Sequence, residues 1–310
     1  MKVLRGIPTK QMVRTAMTIG NFDGVHLGHQ AMIRRVCAQG RKLGIHSSLM
    51  LFEPQPREFF DVKTAPARLT TLREKLELLK QTKIDQVYLI NFNSEFSQLT
   101  ADNFVNKILL ERLHVCWLLI GDDFRFGAKR IGDSSFLKKI SREKGFTFET
   151  MPSLEYAGAR ISSTLVRNLL NDGKLEQVKN YLGRNYSISG RVESGDRYGR
   201  QIGFPTANLG LKTRNVELRG IFAVKVSLDN GPLLNGVASL GVRPTVKSDP
   251  IPLLEVNIFN FNKDIYGKYI RVEFLKKLRD EKKFDTVEEM VLQMHQDKRK
   301  AIEFLGNMEI

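Results

Sequence analysis

Near Gly183 the spacing of apolar residues changes character, and that change constrains the fold more than any other feature of the chain. Before it, short apolar runs alternate with helical patterns. Strands are expected over Met12–Ile19, Ser47–Phe52, Val87–Ile90, Val115–Ile120 and Phe146–Met151. Helices are expected over Gly28–Ala38, Leu72–Lys80, Ala101–Arg112, Ser134–Lys144, from Ile161 onward, and over Lys174–Leu182. Such alternation argues a parallel α/β sheet, with ligands at the carboxyl ends of the strands. After Gly183 the period is two, in Tyr186–Val192, Phe222–Val226, Leu254–Phe259 and Ile270–Phe274. Short alternating strands between Gly, Pro and Asn turns argue a compact antiparallel β-barrel, here followed by a C-terminal helix over Val287–Leu305. Two domains are expected, residues 1–183 and 184–310, with no internal repeat.

A chain of 310 residues, 42% hydrophobic, has enough apolar material for two cores. It contains no apolar run of about eighteen residues, so no membrane span is expected. The stretch Met1–Gly6 has no signal-peptide character, which points to the cytoplasm. Cys37 and Cys116 offer no disulfide framework. The net charge of +15 is spread over both halves, +10 up to Gly183 (28 basic, 18 acidic) and +5 beyond it (21 and 16). That balance suits nucleic-acid binding and equally an enzyme with polyanionic ligands.

The first chemically suggestive stretch is Ile19-Gly20-Asn21-Phe22-Asp23-Gly24-Val25-His26-Leu27-Gly28-His29. It reads as a strand end, a turn and a helix start. Two imidazoles three residues apart can face one point at a helix N-terminus, where anions are favoured. Gly28 leaves room for a ligand, so a nucleotide phosphate chain held by His26 and His29 is one reading. A zinc reading has two ligands and no third, and the plain reading is a turn before a surface helix. Downstream, Ile161-Ser162-Ser163-Thr164-Leu165-Val166-Arg167 opens a helix, either as an ordinary cap or with Arg167 directed at an anion.

In the second half, Gly195-Asp196-Arg197-Tyr198-Gly199-Arg200-Gln201-Ile202-Gly203-Phe204-Pro205-Thr206-Ala207-Asn208 combines glycines with basic residues. It fits a phosphate-wrapping loop or a barrel hairpin. It is not a P-loop, because no Gly-Lys-Ser/Thr follows at the required spacing. Thr206 and Asn208 alternate, so their oxygens project to one side, where a hard cation with ATP oxygens could bind. Glu255 sits mid-strand on the face opposite Leu254 and Val256, as a solvated carboxylate or as a base.

These motifs, with Gly121-Asp122-Asp123-Phe124-Arg125-Phe126-Gly127, Arg160–Arg167, Gly236–Thr245, Asp264–Gly267 and Leu278–Phe284, resemble the prokaryotic bifunctional riboflavin kinase / FMN adenylyltransferase (FAD synthetase) family over nearly the whole chain. The resemblance implies an N-terminal nucleotidyltransferase domain of Rossmann-like fold and a C-terminal kinase barrel. Riboflavin, FMN and FAD would be substrates and products, with ATP as co-substrate and Mg²⁺ as cofactor. It implies that His26 and His29 bind ATP phosphates. Gly20, Asn21, Phe22, Asp23, Gly24, Gly28, Asp123 and Arg160 would line the nucleotide and flavin cleft. Ser162, Ser163, Thr164 and Arg167 would act on the phosphates from the other side. In the kinase it implies that Gly195, Arg200, Gly203, Pro205, Thr206 and Asn208 bind ATP. Thr206 and Asn208 would hold the metal, Arg279 and Phe284 the flavin, and Glu255 would be the base.

Three positions depart from the family pattern. Gln55 stands between Pro54 and Pro56 where His is common, Asn257 where His is common, and Asn260 where Asp is common. Loss of the imidazole at 55 weakens adenylyl transfer, or Gln55 replaces it as a donor; the other two exchanges are expected to tune the kinase. The rivals are a chain with one active module, a flavin-storing protein, and a basic nucleic-acid-binding protein. The last would need aromatics interleaved with Lys and Arg, which the sequence lacks, so no nucleic-acid or membrane partner is expected.

Overall fold

Strands buried on both faces need helices on both sides, and the first half of the chain supplies them in turn. The computed structural model describes residues 1–9, 13–194, 203–211, 216–229, 231–243 and 251–308. Six strands, β1 (Lys2–Arg5), β2 (Thr15–Ile19), β3 (His46–Glu53), β4 (Gln86–Asn91), β5 (Val115–Gly121) and β6 (Thr147–Met151), pair in parallel in the order β1-β4-β3-β2-β5-β6. The helices are α1 (Leu27–Leu43), α2 (Pro56–Phe60), α3 (Leu72–Lys80), α4 (Ser94–Ser97), α5 (Ala101–Asn103) and α6 (Ser134–Lys144). The stretch expected as one helix over Ala101–Arg112 starts as α5 and continues as a π-helix over Phe104–Arg112. Strand β1 was not expected: Lys-Val-Leu-Arg is too short to carry a period and lies mostly exposed at the sheet edge.

Alternate side chains of the central strands feed two apolar layers. Ala16, Leu49, Leu51, Trp117 and Leu119 pack with Ile33 and Val36 of α1 and Leu79 of α3. Met17, Met50, Tyr88, Leu118 and Ile120 pack with Phe104, Leu109, Leu137 and Ile140. The buried threonines of β2 have partners: the Thr15 hydroxyl donates to the Leu113 carbonyl at 3.0 Å, and that of Thr18 to the Met32 sulfur at 3.0 Å. After β2 the chain adds β3 and β4 on one side and then returns to place β5 on the other. The carboxyl ends of β2 and β5 therefore form the switch point at which open parallel sheets bind ligands.

The second half closes into a six-stranded barrel. A small hairpin, β7 (Glu155–Tyr156) and β8 (Ala159–Arg160), precedes it. The barrel strands are β9 (Tyr186–Glu193), β10 (Ala207–Gly210), β11 (Gly220–Leu228), β12 (Leu233–Arg243), β13 (Ile251–Ile258) and β14 (Tyr269–Arg279), all antiparallel. Ile188, Leu209, Phe222, Val224, Ala238, Leu254, Val256 and Val272 are buried. On the next face of β11 and β12, Ala223 and Val237 pack against Ala301 and Leu305 of the C-terminal helix.

The chain divides into two compact units, Met1–Pro66 with Thr70–Ser162 and Ala67–Leu69 with Ser163–Ile310. Helices α7 (Ser163–Asn171) and α8 (Leu175–Leu182), which precede the change of period at Gly183, group with the barrel. Gly173 between them shows how closely they sit: a Cβ there would stand 2.5 Å from Lys277 Cδ of β14. The C-terminal helix is α9 (Val287–Gly306).

Helix α3 starts on a reciprocal cap. The Glu74 amide donates to Thr71 Oγ1 at 3.3 Å, and the Thr71 amide donates to Glu74 Oε2 at 2.7 Å. Replacing such a cap by alanine costs about 1 kcal/mol. We predict that Thr71→Ala lowers the unfolding free energy of the first unit, read from its urea transition, by about 1 kcal/mol, with no change in the barrel's own transition.

Candidate active sites

The turn that follows β2 is built from backbone that most residues avoid. Phe22 and Val25 have φ of 47° and 41°, with Gly24 at 77° between them. For a β-branched residue such as Val25 this is a strained conformation. Neighbours hold it. The backbone N–H and the hydroxyl of Thr70 lie 3.1 and 3.2 Å from Asp23 Oδ1, Gly24 N–H donates to Thr70 Oγ1 at 3.1 Å, and Gln30 Nε2 donates to the Val25 carbonyl at 2.9 Å. Lys75, 1% exposed, donates from Nζ to the Asn21 carbonyl at 2.6 Å. Gly20 lets the Phe22 ring approach closely, since a Cβ there would stand 3.1 Å from the ring.

His26 is the N-cap of α1, its Nδ1 accepting from the His29 amide at 3.3 Å. The rings of His26 and His29 stack at 3.6 Å and 15°. The cap bond requires an unprotonated Nδ1 on His26 and so fixes its tautomer. His29 Nδ1 is buried without a hydrogen-bond partner among the described residues. Both histidines thus sit where the free amides of a long helix begin, as the spacing suggested. A Cβ on Gly28 would stand 3.2 Å from the His26 ring, and the carbonyl of Ile161 runs close by.

At the end of β5, Arg160 bridges to Asp123 at 2.7 Å and to Asp122 at 3.8 Å, and Asp122 also accepts from Ser153. Ser162 ends the first unit; Ser163, Thr164 and Arg167 lie on α7, in the second. Within that unit Arg167 Nε donates to the Ala67 carbonyl at 2.6 Å. Gln55, at the end of β3, is buried, and its Nε2 has no partner among the described residues.

The second site lies on the outer face of the barrel. Register lines up Glu193, Asn208, Glu255, Ser239, Ile221 and Arg279 across successive strands. Glu255 therefore stands between Asn208 and Ser239, away from the interior that Leu254 and Val256 fill. A cavity of about 670 Å³ opens over this row, lined also by Pro205, Thr206, Asn257 and Phe284. Asn208 Oδ1 and Asn257 Oδ1 are buried there without hydrogen-bond partners among the described residues. Asn257 Nδ2 donates to the Pro205 carbonyl at 2.8 Å and so ties the segment after Gly203 to β13.

Arg279 is held in two ways. Its guanidinium makes a bidentate pair with buried Asp297 of α9, at 2.7 Å and 3.0 Å, and lies 5.9 Å from the Phe284 ring centre. Asn260 has φ of 53°, a left-handed turn position that Asn tolerates as well as Asp. Gly195 and Arg200 lie outside the described residues, as do Pro244 and Thr245. Asp297, Thr70 and Lys75 were missed in the sequence, where they read as ordinary helix or cap residues.

A strained turn at a helix mouth beside a sheet switch point, followed in the chain by a barrel with a carboxylate over a cavity, fits the class of two-site nucleotide-dependent transferases. Comparison with known proteins gives the particulars. The FAD synthetase family model matches residues 9–165 and the riboflavin kinase family model matches residues 182–305. The bifunctional riboflavin kinase/FMN adenylyltransferase of Haemophilus influenzae is 42% identical over 99% of this chain and 100% of its own. That of Escherichia coli K12 is 44% identical over 99% and 98%. A solved structure from Streptococcus pneumoniae, described as a macrolide-efflux protein, matches with a TM-score of 0.82 and 28% identity over 96% of this chain and 97% of its own. The chain belongs to the bifunctional riboflavin kinase/FMN adenylyltransferase family. It phosphorylates riboflavin to FMN with ATP and adenylylates FMN to FAD with release of pyrophosphate.

Burial foremost, then the charges of His26 and Lys75, hold His29 well below the ordinary value of 6.5. The unfolded chain takes up a proton at His29 that the folded chain refuses. Its contribution to stability is therefore complete above about pH 6.5 and is lost as the pH falls below that. We predict that His29→Gln flattens the pH dependence of unfolding between about pH 6.5 and 5. An unchanged slope, measured by denaturant titration, would contradict this.

Proposed function

We propose that adenylyl transfer is carried out by residues 1–183 around the Gly20–His29 turn, and phosphorylation by residues 184–310 around Glu255. In the kinase, the ribityl 5′-hydroxyl attacks the γ-phosphorus of ATP as its proton passes to the Glu255 carboxylate, and ADP leaves. An alcohol is a weak nucleophile near neutrality, so a positioned base is worth about 10²- to 10⁴-fold. The observation that carries the assignment is the cross-strand row, in which Glu255 lies between Asn208 and Ser239 over the cavity.

Thr206 and Asn208 are the residues that would hold Mg²⁺. The partnerless Asn208 Oδ1 fits that role, because a hard cation takes oxygen ligands and phosphate oxygens complete its shell. When bound, the ion offsets charge on the transferring phosphoryl group. Gly195, Arg200, Gly203 and Pro205 are assigned to ATP, and Arg279 with Phe284 to the flavin ring. The Asp297 pair neutralises Arg279 and fixes its plane against the cavity, which suits stacking on an uncharged ring system.

In adenylyl transfer, an FMN phosphate oxygen attacks the α-phosphorus of ATP and the bond to the β-phosphate oxygen breaks, releasing pyrophosphate. The nucleophile is already anionic, so the protein's contribution is alignment and charge stabilisation. His26, His29, Gly28 and the first amides of α1 are assigned to the phosphates. Gly20, Asn21, Phe22, Asp23, Gly24, Asp123 and Arg160 are assigned to the nucleotide and flavin cleft. Ser162, Ser163, Thr164 and Arg167 take their phosphate role from the family resemblance. Among the described residues no helix is long and apolar enough to cross a membrane. The reading is of a cytoplasmic enzyme whose partners are ATP and flavins, without nucleic acid.

The test is Glu255→Gln. It is expected to reduce FMN formation from riboflavin by about 100-fold or more while FMN-to-FAD conversion stays within about twofold. Retained kinase activity would remove Glu255 from its role.

A further inference from the structure

None of the transfers above uses Lys75, yet it is 1% exposed, a burial that lysine almost never adopts without a partner. Its Nζ donates to the carbonyl of Asn21 at 2.6 Å. Thr70, five residues earlier, engages Asp23 and the amide of Gly24. The segment from Thr70 to Lys75 therefore grips the turn at Asn21, Asp23 and Gly24, immediately before the strained Val25 and the His26 cap. Lys75 differs from Thr70 in bringing a charge. Away from bulk water that charge is screened weakly and acts on its neighbours more strongly than a surface lysine would.

Among the described residues, the ionisable groups at the turn are Asp23, His26 and His29 from its own side and Lys75 from α3, with Glu74 next to Lys75 in the helix. Asp23 accepts from Thr70, and Glu74 accepts from Thr71. We propose that Lys75 is a positioning residue for adenylyl transfer: its buried ammonium fixes the Asn21 carbonyl and supplies positive charge beneath the turn that favours the triphosphate of ATP. This rests on the assignment of the Gly20–His29 turn to adenylyl transfer. The low proton affinity of His29, caused first by burial, then by His26 and then by Lys75, agrees with a charge acting at that place. With its proton affinity held low, the His29 imidazole is free to meet phosphate oxygens as a neutral donor while the lysine supplies the charge.

The experiment compares the full-length parent, Lys75→Met and His29→Ala. FAD formation from FMN, FMN formation from riboflavin, and the NMR titration of the His29 ring (parent and Lys75→Met) are measured. Lys75→Met is expected to lower kcat/KM for FAD formation by up to about 100-fold, the scale of a lost alignment. It should leave FMN formation unchanged and raise the His29 titration toward 6.5. FAD formation within twofold of the parent overturns the proposal. Its loss with His29 titrating as in the parent also overturns it, because Lys75 is then packing alone. His29→Ala separates the two readings: if that variant keeps full FAD formation, the site assignment fails, whatever Lys75 does. Should Lys75→Met not fold, Lys75→Gln keeps a donor for Asn21 without the charge and is judged by the same results.

Discussion

Phe22 and Val25 adopt left-handed backbone that neither residue favours, and the arrangement of the N-terminal site depends on their being held there. Such conformations cost about 1 to 3 kcal/mol each and persist only where the surroundings over-determine them. Here the surroundings are the Phe22 ring, 2% exposed in the apolar layer, the Gly24 amide's bond to Thr70, and the hydrogen bonds donated by Lys75 and Gln30. The result is a turn short enough to deliver His26 to the N-cap position and stack His29 on it. A relaxed turn would move the two imidazoles and the helix amides apart. Strain in the turn is thus converted into alignment of donors at the helix mouth.

The barrel solves a different problem. The described side chains of its interior, among them Ile188, Leu209, Phe222, Leu254 and Val256, are apolar, and the candidate site lies on the outer face. There, β-strand alternation puts Asn208, Glu255 and Ser239 side by side. Helix α9 packs on the same outer surface through Ala301 and Leu305 and turns Asp297 toward Arg279. An exposed row of polar residues becomes a cavity of about 670 Å³ because the helix and the segments before β10 and after β14 wall it in. Neutral Asn257 contributes through its amide donor to Pro205, a bond that does not vary with pH.

Much of this was legible in the sequence because it follows from periodicity. Strict alternation placed β9, β11, β13 and β14, and the helical spacing of Leu72, Leu76 and Leu79 after Leu69-Thr70-Thr71 placed α3 to the residue. Strand β1 was not legible, since four residues at an exposed edge carry no period. The side of β13 on which Glu255 lies could not be read from alternation alone; it needed the neighbours Asn208 and Ser239. Thr70, Lys75 and Asp297 escaped notice for one reason. Each acts across a distance of 18 residues or more, on Asp23, Asn21 and Arg279, and long-range pairing leaves no local pattern.

The two candidate sites differ in composition, one built on stacked histidines and the other on a carboxylate. The most direct measurement is a chromatographic time course of the full-length His29→Ala variant started from riboflavin with Mg-ATP. FMN should accumulate at the parent's rate with FAD formation strongly reduced. Parallel loss of FMN and FAD, or FAD appearing at the parent's rate, would contradict the two-site assignment.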